Sequence, residues 1–302
     1  MLKTPNQVVQ LPLLTELGVT LVVKRDDTMH PVISGNKYRK LKYNLIEAQR
    51  LKHDTLLTFG GAYSNHIVAT ACLGNENGLQ TIGVIRGEEL RDSWQDNPTL
   101  KKAASYGMQF YFVNRTAYRQ KESKLFLKTL EAKFGAFYKI PEGGTNRFAI
   151  QGCEEILEET DSSFDLITAA VGTGGTLAGL VNASHPNQKV LGFSALKGDF
   201  LKEDIRKFAK KSNWQLISGY HFGGYAKVNT ELVTFMNTFK KNTGIPLDPI
   251  YTGKMVFGVL DMVKTGKIKP NSCVLAIHTG GLQGIFGMNR VLANKNLPLI
   301  DL

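Results

Sequence analysis

A lysine inside a cluster of cations is the first residue of this sequence that could do chemistry. Lys37 lies in the stretch SGNKYRKLK (34–42), where Arg39, Lys40 and Lys42 follow it. Cations this close repel one another, so water or an anion must surround most of them. A lysine amine that is kept apart from water is a nucleophile and a general base, whereas a solvated one only carries charge. The remainder of the sequence decides between these two roles for Lys37.

A glycine-rich loop provides a second chemical feature, an anion site. The loop reads GTGGT and lies between the apolar segment DLITAAV and the helical pattern LAGLV. Its glycines let the backbone turn sharply and present several N–H groups to one anion, beside the positive end of the helix dipole, and its threonines add hydroxyl donors. The loop therefore predicts a phosphate site, with a glycine turn that holds no ligand as the alternative. Its residues are Gly172, Thr173, Gly174, Gly175 and Thr176.

Two familiar nucleotide motifs do not match this loop. A dinucleotide fingerprint needs a glycine at the sixth position, where this chain has Leu177. A Walker A loop needs the letters GK followed by Ser or Thr, which are absent. The phosphate is therefore not expected to belong to a nucleotide.

A turn with serine, asparagine and histidine is the third feature. After the apolar run TLLTF, the stretch GGAYSNH places Ser64 and Asn65 at a predicted helix start, where both are good caps. A Ser–His catalytic pair is excluded because Ser64 and His66 are two residues apart and do not face one another on a helix. The G-x-S-x-G elbow is also absent. Polar side chains and N–H groups at this turn suit a carboxylate, so it predicts a substrate-binding loop, with simple capping as the alternative.

Short apolar runs alternate with amphipathic segments and must position these features. Strands that alternate with helices predict an α/β fold with largely parallel sheets covered on both faces. In such sheets ligands bind beyond the carboxyl ends of the strands, where all three features lie. The predicted strands are 55–59, 81–87, 108–113, 165–172, 189–195, 214–219 and 272–280. The predicted helices are 65–74, 98–106, 116–134, 146–159, 176–182, 203–210, 230–242 and 253–264.

The composition is that of an ordinary globular protein. Of the 302 residues, 42% are hydrophobic and 21% are charged, and no window approaches 18 uninterrupted apolar residues, so no membrane span is expected. The three cysteines form no C-x-x-C pair and no signal-peptide pattern is present, which predicts a cytoplasmic location. A net charge of +11 makes nucleic-acid binding an alternative, but the basic residues are scattered, so no nucleic-acid partner is expected. The histidines lack metal-ligand spacing, and no metal is predicted.

A lone lysine, a phosphate loop and a carboxylate loop together indicate one cofactor, pyridoxal phosphate. This cofactor is carried as a Schiff base on a lysine and stabilises carbanions of amino acids. A small amino acid is therefore the expected substrate.

Six segments in order carry a resemblance to a known family. They are VKRDD (23–27), GNKYRKLKY (35–43), TFGGAYSNH (58–66), VGTGGTLAGL (171–180), DPIYTGK (248–254) and IHTGGLQGIFG (277–287). Together they resemble the 1-aminocyclopropane-1-carboxylate (ACC) deaminase and D-cysteine desulfhydrase family, whose members are pyridoxal-phosphate enzymes with the tryptophan synthase β-like fold. The segments span nearly the whole chain.

The resemblance implies roles for individual residues. Lys37 would be the Schiff-base lysine, with Arg39, Lys40 and Lys42 left solvated. The loop 172–176 would hold the phosphate. The other site residues that it implies are Asn65 at the ring hydroxyl and the substrate, Ser64 as a catalytic nucleophile or carboxylate contact, His66 at the substrate, and Tyr251 and Tyr225 as catalytic hydroxyls that also contact the substrate. The match at Tyr225 is weaker, because alanine and valine replace the glycine and proline that follow it in the family.

The resemblance also implies a domain division and an assembly. Residues 41–142 would form a small α/β domain, and residues 1–40 and 143–302 would form the large domain, with the cofactor in the cleft. The loop PEGGTN (141–146) is the sequence signal for a boundary, since proline and paired glycines break regular structure. A homodimer is usual in such families and is expected here.

Two threonines indicate which reaction the chain catalyses. ACC deaminases carry a glutamate where this chain has Thr252, and an apolar residue where it has Thr279; both positions resemble the desulfhydrases. A neutral hydroxyl at the pyridine nitrogen makes the cofactor a weaker electron sink, which suffices when a thiolate leaves. The sequence therefore predicts that D-cysteine is converted to pyruvate, ammonia and hydrogen sulfide. ACC deamination is the alternative, and a pyridoxal-phosphate-binding protein without turnover is a more remote one.

Overall fold

Two open sheets, built from strands that alternate with helices along the chain, carry the fold. The computed structural model describes residues 4–198 and 201–301. The strands are β1 (Asn6–Val8), β2 (Thr20–Lys24), β3 (Thr55–Gly61), β4 (Gln80–Arg86), β5 (Gln109–Val113), β6 (Tyr138–Ile140), β7 (Leu166–Val171), β8 (Lys189–Ser194), β9 (Trp214–Ile217) and β10 (Cys273–Ile277). The α-helices are α1 (Pro12–Glu16), α2 (Asn36–Arg50), α3 (Asn65–Glu76), α4 (Pro98–Ser105), α5 (Arg115–Arg119), α6 (Lys124–Phe134), α7 (Arg147–Glu154), α8 (Gly175–Ala183), α9 (Leu201–Arg206), α10 (Thr230–Thr243), α11 (Thr252–Lys264) and α12 (Gly284–Ala293).

The first sheet has six strands in the order β1-β2-β10-β7-β8-β9. Adjacent strands of this sheet run parallel to one another, except that β1 is antiparallel to β2. The central strands β7 and β10 are continuous apolar runs because helices cover both of their faces. Helices α10, α11 and α12 pack on one face, and α7, α8 and α9 pack on the other.

The second sheet has four parallel strands in the order β5-β4-β3-β6. Helices α2, α3 and α4 pack on one face, and α5 and α6 pack on the other. The predicted α/β class with mostly parallel sheets is thus confirmed. Among the residues that the structure describes, no helix is both long and apolar enough to cross a bilayer.

All of the predicted strands form, but several elements were missed or differ. The three-residue strands β1 and β6 are too short to show a period, and β2, α1, α2 and α12 were also missed. The predicted helix 116–134 is two helices, because the Ser123 hydroxyl accepts the N–H of Phe126 at 3.2 Å and starts α6 anew. The predicted helix 203–210 ends at Arg206.

We propose the division into a small domain (41–142) and a large domain (1–40 and 143–302) on the basis of these sheets. Every strand of the four-stranded sheet lies between residues 55 and 140. Every strand of the six-stranded sheet lies before residue 25 or after residue 165. No strand is shared between the two sheets.

The cation cluster after Lys37 is not solvated as expected, because α2 buries two of its members. Arg39 is 2% exposed and donates to Asp26 at 3.1 Å, inside the contact between α2 and the first sheet. Lys40 is equally buried. Lys42 is half-buried and donates to the Glu155 carboxylate at 2.7 Å. Buried charges require partners, and the chain provides them here.

Replacing Arg39 with methionine is expected to lower the free energy of unfolding by about 3–5 kcal/mol, because Asp26 would remain buried without its cation. Arg50→Met is the matched control, since Arg50 lies on the same helix and pairs with Glu47 at the surface. Its unfolding curve should be indistinguishable from that of the wild type. Urea denaturation followed by circular dichroism measures both, and equal shifts for the two variants would contradict the assignment.

Candidate active site

A cavity of about 830 Å³ lies at the carboxyl ends of strands from both sheets. Strands β3 and β4 contribute from the second sheet, and β7 and the loop after β10 contribute from the first. Most of the predicted site residues line it, and Gly175 and Thr252 do not. Those that line it are Lys37, Ser64, Asn65, His66, Gly172, Thr173, Gly174, Thr176, Tyr225, Tyr251 and Thr279.

Lys37 enters the cavity from the first turn of α2. The turn is tight: Gly35 has φ +60°, and a Cβ at this position would lie 2.1 Å from the Thr279 carbonyl oxygen, so only glycine fits. Lys37 Nζ donates to Asn36 Oδ1 at 3.2 Å, and Asn36 Nδ2 donates to Thr176 Oγ1 at 2.8 Å. The lysine is thereby tied to the glycine loop.

The amine of Lys37 is poised to lose its proton near neutrality. Burial, together with the positive charge of Lys40, lowers the pKa of Lys37 from 10.5 to about 7. A substantial fraction of the amine is therefore uncharged at neutral pH, which is the form that acts as a nucleophile or accepts a proton.

Lys40 is a site residue that the sequence reasoning missed. It lies one turn after Lys37 and lines the cavity. Its Nζ donates to the Gly143 carbonyl and to Thr145 Oγ1, both at 3.2 Å, and to Thr173 Oγ1 at 3.5 Å. Burial lowers the pKa of this amine as well. The spacing of three residues would have indicated a shared helix face if α2 had been recognised.

The glycine loop and Lys40 form one anion-binding corner. Gly174 has φ +83° and forms the N-cap of α8. A Cβ at Gly175 would lie 3.2 Å from Lys40 Nζ and 2.9 Å from Thr145 Oγ1, so glycine leaves room for the ammonium. The hydroxyls of Thr145 and Thr173 are 2.6 Å apart. Backbone N–H groups, hydroxyls and a cation thus meet at the start of a helix, as a phosphate requires.

Ser64 and Asn65 stand at the start of α3, but their side chains do not cap the helix. Ser64 is the N-cap residue, but its hydroxyl accepts no hydrogen bond from the helix. Within residues 4–198 and 201–301, neither side chain makes a hydrogen bond with the protein. Simple capping, the alternative interpretation, therefore does not account for these two residues.

His66 is buried and has one free ring nitrogen. The Thr58 hydroxyl donates to the Ile140 carbonyl at 3.0 Å, so it accepts from His66 Nε2 at 2.8 Å and places the proton there. Nδ1 is then an acceptor, and it is buried without a partner. Burial, together with the charges of Lys37 and Lys40, holds the pKa of His66 well below 6.5, so the ring stays neutral. Nδ1 faces the backbone of the loop after β6, where a Cβ at Gly144 would lie 3.5 Å from it.

Tyr251 and Tyr225 form a pair at the opposite wall. Their ring centroids are 6.3 Å apart. Burial raises the pKa of Tyr251 well above 10, and the neighbouring Tyr225 and Asp248 raise it too, so the phenol keeps its proton. Burial also raises the pKa of Tyr225, although 43% of this side chain is exposed.

The two threonines expected at the cofactor nitrogen occupy different environments. Thr252 is fully buried, and its hydroxyl donates to Asp248 Oδ1 at 3.0 Å and accepts the Asp248 N–H at 2.8 Å. Asp248 also accepts the N–H groups of Ile250, Tyr251 and Thr252, which fixes the start of α11. Thr279 lines the cavity, and the described residues offer its hydroxyl no hydrogen-bond partner. The contact of Thr252 with the cofactor stays a prediction: its hydroxyl is bonded to Asp248, and Thr279 is the threonine that lines the cavity.

Lys254 is a second residue that was missed, and it connects the two tyrosines. It is 2% exposed and donates to the carbonyls of His221 and Gly224, both at 2.9 Å. These carbonyls belong to the loop that carries Tyr225, in which Gly223 and Gly224 have positive φ. Burial lowers the pKa of Lys254 to about 8. Lys254 thus ties this loop to α11, which begins next to Tyr251.

Replacing Lys254 with methionine is expected to release the Tyr225 loop. We expect kcat/KM for the amino-acid substrate to fall about tenfold, the effect of losing two hydrogen bonds to a charged group, while cofactor binding is retained. Steady-state kinetics and cofactor absorbance measure the two. The control is Lys264→Met, at the exposed end of the same helix, which should leave both unchanged. A loss of cofactor in the Lys254 variant would contradict this role.

Three potential metal ligands meet outside the cavity but do not form a convincing site. The ligand atoms of His30, Cys72 and Glu76 lie within 4.8 Å of one another. His30 Nδ1 accepts the N–H groups of Val32 and Ile33 at 3.1 and 2.9 Å, so a neutral ring carries its proton on Nε2. That proton points at Glu76 Oε1, 3.1 Å away, and occupies the position that a metal would need.

The residues of the cavity fit pyridoxal phosphate. An amine of lowered pKa can carry the aldehyde, and the corner of Lys40 and residues 172–176 suits a phosphate. The unengaged groups of Ser64, Asn65 and Thr279 remain for polar groups of the ring and of a substrate.

Comparison with known proteins gives the same indication. The family model described as "Pyridoxal-phosphate dependent enzyme" matches residues 1–280. The protein of Pyrococcus abyssi named "Putative 1-aminocyclopropane-1-carboxylate deaminase" is 32% identical over 90% of this chain and 87% of its own. The mitochondrial bifunctional D-cysteine desulfhydrase/ACC deaminase of Arabidopsis thaliana is 31% identical over 89% of this chain and 74% of its own. A crystal structure of an ACC deaminase homologue superposes with a TM-score of 0.84 at 28% identity, covering 97% of this chain and 94% of that one.

Proposed function

This chain belongs to the pyridoxal-phosphate-dependent enzymes, in the family of ACC deaminases and D-cysteine desulfhydrases, and from that premise we propose that it is a D-cysteine desulfhydrase. Its fold is accordingly that of the tryptophan synthase β-like enzymes, and its cofactor is pyridoxal phosphate. The reaction would convert D-cysteine and water to pyruvate, ammonia and hydrogen sulfide.

The observation that carries the choice of reaction is the position of Thr279. Its hydroxyl lines the cavity after β10, and no carboxylate among the described residues forms a hydrogen bond with it. Asp248, whose carboxyl carbon would lie 3.3 Å from a Cβ at Gly281, is committed to Thr252 and to backbone N–H groups. A neutral partner at the cofactor nitrogen supports elimination of a good leaving group rather than opening of a carbon ring.

Five parts of the site would hold the cofactor. Lys37 would carry it covalently, and Lys40 together with the loop 172–176 would bind its phosphate. Asn65 would bind the ring hydroxyl, and Thr279 would contact the ring nitrogen. When bound, the cofactor supplies an electron sink for the pair released when the Cα–H bond breaks.

The protein groups then bind the substrate and move its protons. The start of α3, with Ser64, binds the α-carboxylate through free N–H and hydroxyl donors. Neutral His66 lines the cavity beside the substrate and helps to orient it. Lys37 Nζ accepts the α-proton, which its lowered pKa favours near neutral pH. The protonated hydroxyls of Tyr251 and Tyr225 orient the substrate and donate toward the departing thiolate.

Product analysis with purified, cofactor-loaded protein tests the proposal. D-cysteine, L-cysteine and ACC are supplied in parallel, and pyruvate, sulfide and 2-oxobutyrate are measured. Equal amounts of pyruvate and sulfide from the D-isomer are expected. Release of 2-oxobutyrate from ACC, with no product from D-cysteine, would assign the chain to the second candidate, ACC deaminase, which the name of the Pyrococcus abyssi relative favours.

We also propose that the enzyme is a homodimer that acts on a small amino acid, with no nucleic-acid partner. A dimer would elute at about twice the chain mass of 33.4 kDa in size-exclusion chromatography with light scattering. A colourless protein that shifts random DNA in a salt-dependent manner would contradict the proposal.

A further inference from the structure

An arginine in the cavity wall lies beside the turn proposed to bind the substrate. Arg86 ends β4 and is paired across the sheet with Gly61, the last residue of β3. A Cβ at Gly61 would lie 3.5 Å from Arg86 Nη2, so the guanidinium rests against the glycine backbone. Ser64 follows three residues later. Arg86 is therefore a neighbour of the α-carboxylate site, on a different strand.

The guanidinium of Arg86 is positioned by the protein but is not neutralised. The side chain is exposed, and its central carbon lies 5.7 Å from the centroid of the buried Tyr118 ring, within the range of a cation–π contact. In the part of the chain that the structure describes, no carboxylate lies within 4.0 Å of its nitrogens. Arg25 and Arg39, by contrast, are each paired with an aspartate.

The acids of the cavity wall do not balance this charge. Glu142 pairs with Lys121 at 3.2 Å, and Asp204 pairs with Lys207 at 2.6 Å. The wall near Arg86 therefore has a surplus of positive charge and an arginine whose planar donors are free. Such donors match the paired oxygens of a carboxylate, sulfate or sulfonate.

Resting on the proposed elimination reaction, we infer that Arg86 binds an anionic group on the β-carbon of the substrate. The start of α3 already provides for the α-carboxylate, so the guanidinium is available for a second anion. The substrate class is then D-amino acids whose β-substituent is an oxyanion, such as a sulfate ester or an S-sulfonate.

The chemistry of this class is the same elimination. With O-sulfo-D-serine the Cα–H bond breaks and its proton passes to Lys37 Nζ. The Cβ–O bond breaks, sulfate leaves with the electron pair, and a Cα–Cβ double bond forms. Water hydrolyses the resulting enamine to pyruvate and ammonium. No oxidant or reductant is needed.

The test compares a charged and a neutral β-substituent in variants of the holoenzyme. O-sulfo-D-serine and β-chloro-D-alanine are given to the wild type, Arg86→Gln, Arg86→Lys and the surface control Arg115→Gln. We expect Arg86→Gln to raise KM for O-sulfo-D-serine at least about tenfold, which corresponds to the loss of one charge-assisted pair. The KM for β-chloro-D-alanine should change by no more than about twofold. Arg86→Lys should recover part of the loss, and Arg115→Gln should behave as the wild type.

Two outcomes would overturn the inference. An equal rise in KM for both substrates would place Arg86 at the α-carboxylate or in a structural role. An unchanged KM for both would show that Arg86 does not take part in substrate binding. Titration of the cofactor absorbance with O-sulfo-D-serine gives a Kd that does not depend on turnover. If D-cysteine yields no pyruvate, the proposed reaction fails, while a charge preference in Kd that is lost in Arg86→Gln still supports the role of Arg86.

Discussion

Lys37→Ala protein loses at least about 1,000-fold in kcat for D-cysteine, because one side chain is the covalent anchor of the cofactor and the acceptor of the α-proton. The geometry of the site supports a loss of this size in kcat from a single substitution. The Lys37 amine lies in the cavity with a pKa lowered by burial to about 7, and Asn36 ties it to the glycine loop. Pyruvate release under saturating D-cysteine, with pyridoxal phosphate added in excess, measures the loss.

Lys42→Ala is the matched control for this variant. Lys42 lies on the same helix but pairs with Glu155 away from the cavity, so its removal should change kcat by no more than about twofold. Added ethylamine should restore part of the rate of Lys37→Ala, since it can occupy the vacated space and accept the proton. Turnover of Lys37→Ala at the wild-type rate would refute both assigned roles.

Lys40→Met is expected to raise the Kd for pyridoxal phosphate by about tenfold to a hundredfold. The expected effect follows from the loss of one charge-assisted contact to a phosphate, worth about 1.5–3 kcal/mol. The side chain is 2% exposed and its amine is directed at Thr145 and Thr173 in the anion-binding corner. Equilibrium titration of the apoprotein, followed by absorbance, measures the change.

The same variant should also move the titration of Lys37. The charge of Lys40 disfavours the protonated amine nearby, so its removal raises the pKa of Lys37 above about 7. Covalent loading of the apoprotein requires the uncharged amine, and its pH midpoint should shift to higher pH in Lys40→Met. Lys40→Arg keeps the charge and should keep the midpoint. An unchanged Kd in Lys40→Met would show that the phosphate lies elsewhere.

Residues that act within one local segment could be predicted from the sequence. The glycine loop and the Ser64–Asn65–His66 turn each follow an apolar strand directly, so their place at the carboxyl end of a sheet follows from the chain itself. Lys37 was found because the three features together fit one cofactor. Parallel, doubly covered sheets follow in the same way from the alternation of elements.

The buried cations could not be predicted, because their burial depends on distant partners. Charged residues are normally exposed, and only tertiary structure brings Gly143, Thr145 and Thr173 to Lys40, more than 100 positions away. The same holds for Lys254, which reaches carbonyls about 30 residues earlier. The different environments of Thr252 and Thr279 likewise depend on Asp248, whose carboxylate accepts a hydrogen bond from the Thr252 hydroxyl and none from the Thr279 hydroxyl.

The pairing of β2 with β10 has a consequence for protein synthesis. Residues 20–24 pair with residues 273–277, so β2 cannot form this pairing until β10, the last strand in the sequence, has been synthesised. At a ribosomal rate of about 5–20 residues per second, that delay is about 10–50 s. During this time the nascent chain lacks Thr279, against whose carbonyl the Lys37 turn is built. We therefore expect the cofactor to be captured only after release from the ribosome, by the finished chain.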